Sequence, residues 1–230
     1  MFVRLPSKLN KTFNVLGIPR SGQHAIVTWL MGNLPSPSLF VNNATSIRPD
    51  LVWWKNGRRV QTQIEENPCV LGIGFEGPAR VLDHDGDLSV FVIRDIKNHM
   101  ASLIKHKTLN PNWPQFFQQW EEYANLEINR PRKSYPYIVV PFSTWHTCLE
   151  VRLDLFEQFE YRMEIDGLTY NDDARRDIMG SGGGSSFTGN SFNGCAEKMK
   201  VLDRYKEVTL PEIPLKLLEM NTEIFGDIYS

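Results

Sequence analysis

Two short segments of the chain carry residue types suited to binding a phosphate-like anion. The first is PRSGQH at residues 19–24, between an apolar run and a helical pattern. A glycine-containing turn between a strand and a helix directs backbone N–H groups toward an anion. Arg20 adds a fixed charge whose planar fork fits phosphate oxygens. Further donors are the side chains of Ser21, Gln23 and His24. The segment predicts an anion site; the alternative is an ordinary strand-to-helix turn.

The second segment is FVIRDIKNHMAS at residues 91–102. Arg94 follows an apolar run, and Ser102 stands eight residues later in a helical pattern. Alone, an arginine in this place is consistent with a solvated strand end. The chain has no GxxxxGK[ST] motif, so the usual type of P-loop ATPase or GTPase is disfavoured.

Alternating strand and helix patterns position these segments. Four short apolar runs predict buried strands, at 13–18, 69–75, 88–95 and 135–142. Helical patterns occupy residues 25–34, 96–107, 113–129, 148–159 and 214–225. This alternation predicts an α/β fold with a mostly parallel central sheet flanked by helices. Ligands bind such sheets at the carboxyl ends of the strands, where both candidate segments fall.

Three other segments have less regular patterns. Residues 35–46 are predicted to form a loop, and Trp53-Trp54 followed by KNGRR predicts a turn with a basic tip. Residues 180–194 are rich in glycine and serine. We interpret that stretch as an active-site or lid loop within one domain, because too little chain follows it to fold alone.

Composition restricts the classes of protein. With 230 residues, 41% hydrophobic and 23% charged, the chain is predicted to form one globular domain, 1–230. The net charge of −2 argues against a nucleic-acid-binding protein. Its 3 cysteines and its histidines match no metal-site spacing, so no metal is expected. Neither a signal peptide nor a membrane span is recognised, which favours a soluble cytoplasmic protein.

The two segments together resemble motifs of the sulfotransferase family, which uses 3′-phosphoadenosine 5′-phosphosulfate (PAPS) as sulfuryl donor. Residues 19–24 are similar to the family's P-[KR]-S-G-T-T loop, which cradles the 5′-phosphosulfate. Residues 92–102 are similar to a later strand ending in an arginine, with a serine eight residues beyond. LDRYKEVTLPE, at 202–212, is similar to the family's G-R-W-(K/R)-x-x-L-T segment. The resemblance implies a P-loop nucleotide-kinase-like sulfotransferase fold.

The resemblance also implies a donor site. Its cofactor-binding residues are expected to be Arg20, Ser21, Gly22, Gln23, His24, Arg94, Ser102, Ser185, Ser186 and Phe187. Gln23 and His24 replace the usual threonine pair, so the pose of the phosphosulfate is open. The expected reaction is in-line transfer of a sulfuryl group to a hydroxyl or amine of a small-molecule or carbohydrate acceptor. The oligomeric state is not predicted.

The resemblance gives two candidates for the acceptor base. Glu76, two residues before Pro78, matches the position of the family's base, and His84 is the rival. Glu76 and Arg20 are therefore the expected catalytic residues, with Arg20 stabilising charge on the leaving phosphate. Two other functions stay open: a non-catalytic nucleotide-binding relative, and a P-loop kinase of a small metabolite.

Overall fold

The fold is described from a computed structural model. It describes residues 11–42, 50–55, 58–60, 70–77, 86–106, 110–129, 137–176, 187–189 and 191–229, with only the backbone of 50–55 and 58–60. Its strands are β1 Lys11–Gly17, β2 Ser38–Asn42, β3 Asp50–Lys55, β4 Arg58–Val60, β5 Val70–Glu76, β6 Leu88–Ile93 and β7 Tyr137–Pro141. Its α-helices are α1 Gln23–Asn33, α2 Ile96–Lys105, α3 Trp113–Ile128, α4 Phe142–Thr147, α5 Leu149–Met163 and α6 Leu215–Phe225.

These strands form one mostly parallel, 7-stranded sheet in the order β4-β3-β2-β5-β1-β6-β7. The strands β2, β5, β1, β6 and β7 are parallel to one another, whereas β3 and β4 pair antiparallel at one edge. The predicted α/β fold with a mostly parallel central sheet and flanking helices is thus confirmed.

Alternate residues of each central strand enter hydrophobic cores on opposite faces of the sheet. In β1, Val15 packs against residues of α1 and α5 on one face. Its neighbour Leu16 packs against residues of α2, α3 and α6 on the other face. Successive side chains of a strand point to opposite faces, so a continuous apolar run fits a strand covered by helices on both sides. Burial of both faces explains why the central strands appear in the sequence as continuous apolar runs.

Two of the sequence predictions differ from the structure in the part of the sheet formed by β2, β3 and β4. Residues 35–46 were expected to form a loop, yet Ser38–Asn42 is a strand that pairs in parallel with β5. Trp53-Trp54 followed by KNGRR was expected to form a turn with a basic tip. Trp53 and Trp54 instead lie in β3, which pairs antiparallel with β4 through Lys55 and Arg58, and the tip at 56–57 lies outside the described residues. The prolines and serines around β2 give a turn-like local composition. Strand pairing with distant residues overrides that composition.

Candidate anion-binding site

The loops that follow three neighbouring strands form the candidate site. Gly17, which ends β1, pairs with Glu76 of β5 on one side and with Val92 of β6 on the other. The carboxyl ends of these parallel strands therefore meet at one edge of the sheet. Residues 18–22, Glu76-Gly77 and Arg94 all follow at that edge, which is where α/β sheets bind ligands.

The loop after β1 has a backbone that depends on glycine at one position. Arg20 has φ +71° and Gly22 has φ +101°, both in the left-handed region. A Cβ on Gly22 would lie 2.6 Å from Cγ of Phe142, too close for nonbonded carbon atoms. Gly22 is the N-cap of α1 and has no side chain to cover the first amides of the helix. Those amides are suitable donors to an anion.

The polar side chains of this loop differ in what they can offer to a ligand. The Gln23 Nε2 donates to the Val15 carbonyl at 2.7 Å, so this amide is engaged with β1. His24 Nε2 lies 3.3 Å from Oδ1 of Asn42 in β2. The Ser21 hydroxyl is buried and has no hydrogen-bond partner among the described residues. Backbone amides, Arg20 and Ser21 are therefore the groups of the loop best placed to bind an anion.

Arg94 lies against the same loop. Its side chain is only 3% exposed, and its Nη1 donates to the Arg20 carbonyl at 3.4 Å. Nη2 donates to the Val201 carbonyl at 3.4 Å, and Cζ lies 5.4 Å from the centre of the Phe142 ring. Burial, together with the nearby charges of Arg204 and Arg20, lowers the pKa of Arg94 to about 9. The guanidinium and the loop after β1 thus belong to one candidate anion-binding region.

Arg204 is a third cation in this region, and sequence reasoning gave it no role. Its guanidinium is buried, and its Nε donates to the Lys200 carbonyl at 3.3 Å. Burial and the charge of Arg20 lower the pKa of Arg204 to about 10. Buried cations that depress one another's pKa favour an anion among them. The sequence signal that could have identified Arg204 is the LDRYKE segment. Its resemblance to a family motif was noted, but no role was given to its arginine.

The other predicted site residues are distributed unevenly around this cluster. Glu76, exposed at the end of β5, lies close enough to Arg20 to raise the pKa of its guanidinium, although burial lowers that pKa more. Ser102 is buried within α2. The Phe187 ring lies 5.0 Å from Cζ of Arg204 and 5.7 Å from Nζ of Lys105. Ser185, Ser186 and His84 lie outside the described residues.

His99, in α2, contacts the loop after β1. The ring is fully buried, and its Nε2 donates to the Pro19 carbonyl at 2.8 Å. Its Nδ1 is buried without a hydrogen-bond partner among the described residues. Burial, followed by the charges of Arg94 and Arg20, lowers the pKa of His99 to about 3, so the ring is neutral near pH 7.

This burial predicts an acid-sensitive fold. Burial also lowers the pKa of His146 to about 4. The pKa of a histidine in the unfolded chain is about 6.5. Below that pH the unfolded chain therefore binds protons that the folded chain does not bind. The stability contributed by each ring is complete above about pH 6.5 and is lost as pH falls toward the folded-state pKa.

The variant His99→Gln tests this expectation, because its amide still donates to the Pro19 carbonyl but does not titrate. Chemical denaturation at pH 6.5 and pH 5 should give a smaller loss of unfolding free energy in the variant, by about 1–2 kcal/mol. The same loss in both proteins would contradict the role assigned to His99.

The comparisons with known proteins bear on the fold. No protein-family model matches the chain, and no curated protein matches it. In structure it is similar to mouse sulfotransferase SULT7A1, whose crystal structure was solved in complex with PAP. The likeness covers 97% of this chain and 85% of that chain, with a TM-score of 0.50 and 9% sequence identity. It shows a sulfotransferase-like α/β fold, as the sequence motifs implied.

The part of the chain that the structure describes shows neither a candidate membrane span nor a candidate metal cluster. Among those residues, no helix is both long enough and apolar enough to cross a bilayer. The same residues contain no group of three or more histidine, cysteine or acidic side chains arranged to hold a metal ion.

Proposed function

We propose that the chain is a sulfotransferase that takes PAPS as donor and transfers its sulfuryl group to a hydroxyl or amine acceptor. The observation that carries the proposal is the contact of the Arg94 guanidinium with the Arg20 carbonyl, which joins the two motifs in one site. The sulfotransferase-like fold supports it. The acceptor is proposed to be a small molecule or a carbohydrate.

The two ends of the site suit a ligand with two phosphate groups. The amides at the start of α1, with Arg20 and Ser21, would bind the 5′-phosphosulfate. Arg94, with Arg204 beside it and Ser102 on the following helix, would bind the 3′-phosphate. Buried polar atoms without hydrogen-bond partners among the described residues, such as Oγ of Ser21 and Nε of Arg94, fit such an anion. ATP lacks a 3′-phosphate, so this end would select the donor.

Glu76 and Arg20 would act on the reacting atoms. As the acceptor oxygen or nitrogen forms its bond to sulfur, the bond from sulfur to the phosphate oxygen breaks. Glu76 would take the acceptor proton, and adenosine 3′,5′-bisphosphate (PAP) would leave. Arg20 and the loop amides would stabilise the negative charge that builds on the leaving phosphate oxygen. The proximity of Glu76 to Arg20 supports this division of roles.

Phe187 is proposed to contact the adenosine. Its ring lies near the cations of Lys105 and Arg204, so this residue reaches the proposed 3′-phosphate end of the site. An aromatic ring there offers a flat apolar surface to the base. Ser185 and Ser186 precede it and are proposed to belong to the same binding segment.

The variant Glu76→Gln tests the function. We expect its sulfuryl transfer from labelled PAPS to a panel of phenol, sugar and amine acceptors to fall at least ~100-fold, the size of a general-base contribution. Its affinity for PAP should be retained or raised, because Glu76 is assigned to the acceptor side and its loss removes a negative charge near Arg20.

Glu157→Gln is the matched control, since Glu157 is an exposed carboxylate on α5. This control should transfer at the wild-type rate. Equal transfer by Glu76→Gln and wild type would remove Glu76 from the mechanism. Absence of transfer by the wild type to every acceptor, with PAP still bound, would favour the second candidate function.

That second candidate is a nucleotide-binding relative without transferase activity. The observation that favours it is the engagement of Gln23 with the Val15 carbonyl and the closeness of His24 to Asn42. Side chains held in this way are less available to a phosphosulfate than freely placed donors. The transfer assay separates the two functions.

A further inference from the structure

Arg94 and Arg204 come from distant parts of the chain but lie together. Arg94 directly follows β6, and Arg204 begins a short 3₁₀ turn, Arg204–Glu207, after the glycine-rich segment. When no anion is bound, the two positive guanidinium groups repel each other. The depressed pKa of Arg94, to which the charge of Arg204 contributes, indicates this repulsion. Other contacts must hold the two segments in place against this repulsion.

Asn98 makes those contacts on the Arg204 side. This residue is in α2 and is fully buried. Its Nδ2 donates to the Leu202 carbonyl at 2.6 Å, and its Oδ1 accepts from the backbone N–H of Tyr205 at 3.1 Å. The one amide therefore binds the backbone on both sides of Arg204. An asparagine suits this position because it offers a donor and an acceptor together.

The same side chain is joined to the residue after Arg94. Asn98 Nδ2 donates to Oδ1 of Asp95 at 2.8 Å, and Asp95 also caps α2 by accepting from the Asn98 N–H at 3.0 Å. The Asp95 carboxylate is held in turn by the hydroxyls of Ser143 and Tyr229. Asp95 is fully buried, and its bonds to Asn98 and Ser143 are made away from water.

We propose that Asn98 is a positioning residue that holds Arg94 and Arg204 at the spacing required to bind one phosphate group together. The inference rests on the proposed function, in which that group is the 3′-phosphate of the donor. Asn98 acts through its backbone contacts on either side of Arg204 and through Asp95, and it does not touch the ligand. It therefore sets the affinity for the 3′-phosphate and leaves the 5′ end of the site unchanged.

The test compares PAP with adenosine 5′-monophosphate, which lacks the 3′-phosphate. In Asn98→Ala, calorimetry should show PAP affinity reduced by about tenfold or more, the size expected when charge-assisted bonds lose their geometry. Affinity for the monophosphate should change less than about twofold, since that ligand uses the loop after β1. An unchanged ratio of the two affinities would overturn the proposal.

Asn33→Ala is the matched control. Asn33 is a buried asparagine that joins α1 to a distant loop in the same way: its Nδ2 donates to the Trp29 and Asn171 carbonyls, and its Oδ1 accepts from the Asn171 N–H. It should lose thermal stability as Asn98→Ala does but keep the wild-type affinity ratio. A ratio that falls equally in both variants would indicate general loosening and overturn the proposal.

Two additions keep the test decisive. If Asn98→Ala does not fold, Tyr229→Phe removes the hydroxyl that donates to Asp95 and accepts from the Lys97 N–H. A two- to fivefold loss confined to PAP is then expected, whereas no loss overturns the proposal. If the wild type binds neither nucleotide, the proposed function fails, and thermal stabilisation by sulfate tests the positioning alone. Loss of that stabilisation in Asn98→Ala but not in Asn33→Ala supports it, and its retention in both overturns it.

Discussion

Arg94→Gln is expected to weaken PAP binding by at least ~100-fold, because two charge-assisted hydrogen bonds to a phosphate contribute about 1.5–3 kcal/mol each. Glutamine still has an amide to donate to neighbouring carbonyls, so the side chain loses its charge and fork more than its local contacts. Isothermal titration with PAP measures the loss. Arg94→Lys should recover only part of the affinity, since an ammonium group has no planar fork.

A control separates lost binding from lost folding. Arg152 is a second buried arginine, with Nη1 donating to the Trp145 carbonyl and Nε paired with Asp172 at 2.7 Å. It lies outside the cluster formed by Arg20, Arg94 and Arg204. Arg152→Gln should lower thermal stability and leave PAP affinity near that of wild type. Wild-type PAP affinity in Arg94→Gln would contradict the assignment of Arg94 to the 3′-phosphate.

Gly22→Ala is expected to disrupt the loop after β1 and to weaken PAP and adenosine 5′-monophosphate equally. The backbone there has φ +101°, and the new Cβ would overlap the Phe142 ring. Left-handed backbone costs a residue with a side chain about 1–2 kcal/mol, and overpacking a buried ring costs about 1–3 kcal/mol more. A fall in melting temperature of roughly 4–10 °C should accompany the loss of both ligands.

Gly226→Ala is the control for backbone strain alone. Gly226 has φ +70° after α6, and a Cβ there would meet no atom within 4 Å among the described residues. It should be destabilised less than Gly22→Ala and should bind both nucleotides normally. In Gly22→Ala, a second change, Phe142→Leu, should restore part of the stability by making room. Normal ligand binding by Gly22→Ala would show that the loop does not form the proposed cradle.

The parts of the site that the sequence predicted are local in the chain. β1, the loop and α1 are contiguous, and so are β6, Arg94 and α2. The apolar runs locate the strands in the sequence, and the helical patterns that follow them locate the helices. The loops at the carboxyl ends of the strands must lie between the two. Motif spacing was therefore enough to predict that Arg20 and Arg94 lie at one edge of the sheet.

The missed features depend on contacts between distant residues. Nothing near Arg204 in the sequence shows that its turn is held by Asn98. His99 shares one face of α2 with the apolar Ile96 and Leu103, and in the fold the loop after β1 and α3 cover it, with Phe116 edge-on at 5.0 Å. Gln23 was expected from its residue type to donate to a ligand, but its Nε2 donates to the Val15 carbonyl instead. Tertiary packing decides which polar groups remain available.

The central claim is that one nucleotide with phosphates at both 3′ and 5′ positions occupies the loop after β1 and the arginine cluster together. Titration calorimetry of the wild-type chain with PAP and with adenosine 5′-monophosphate tests it most directly. We predict one PAP site per chain and an affinity at least about tenfold higher than for the monophosphate, the contribution of the 3′-phosphate. Equal affinity for the two nucleotides, or no binding of PAP, would contradict the claim.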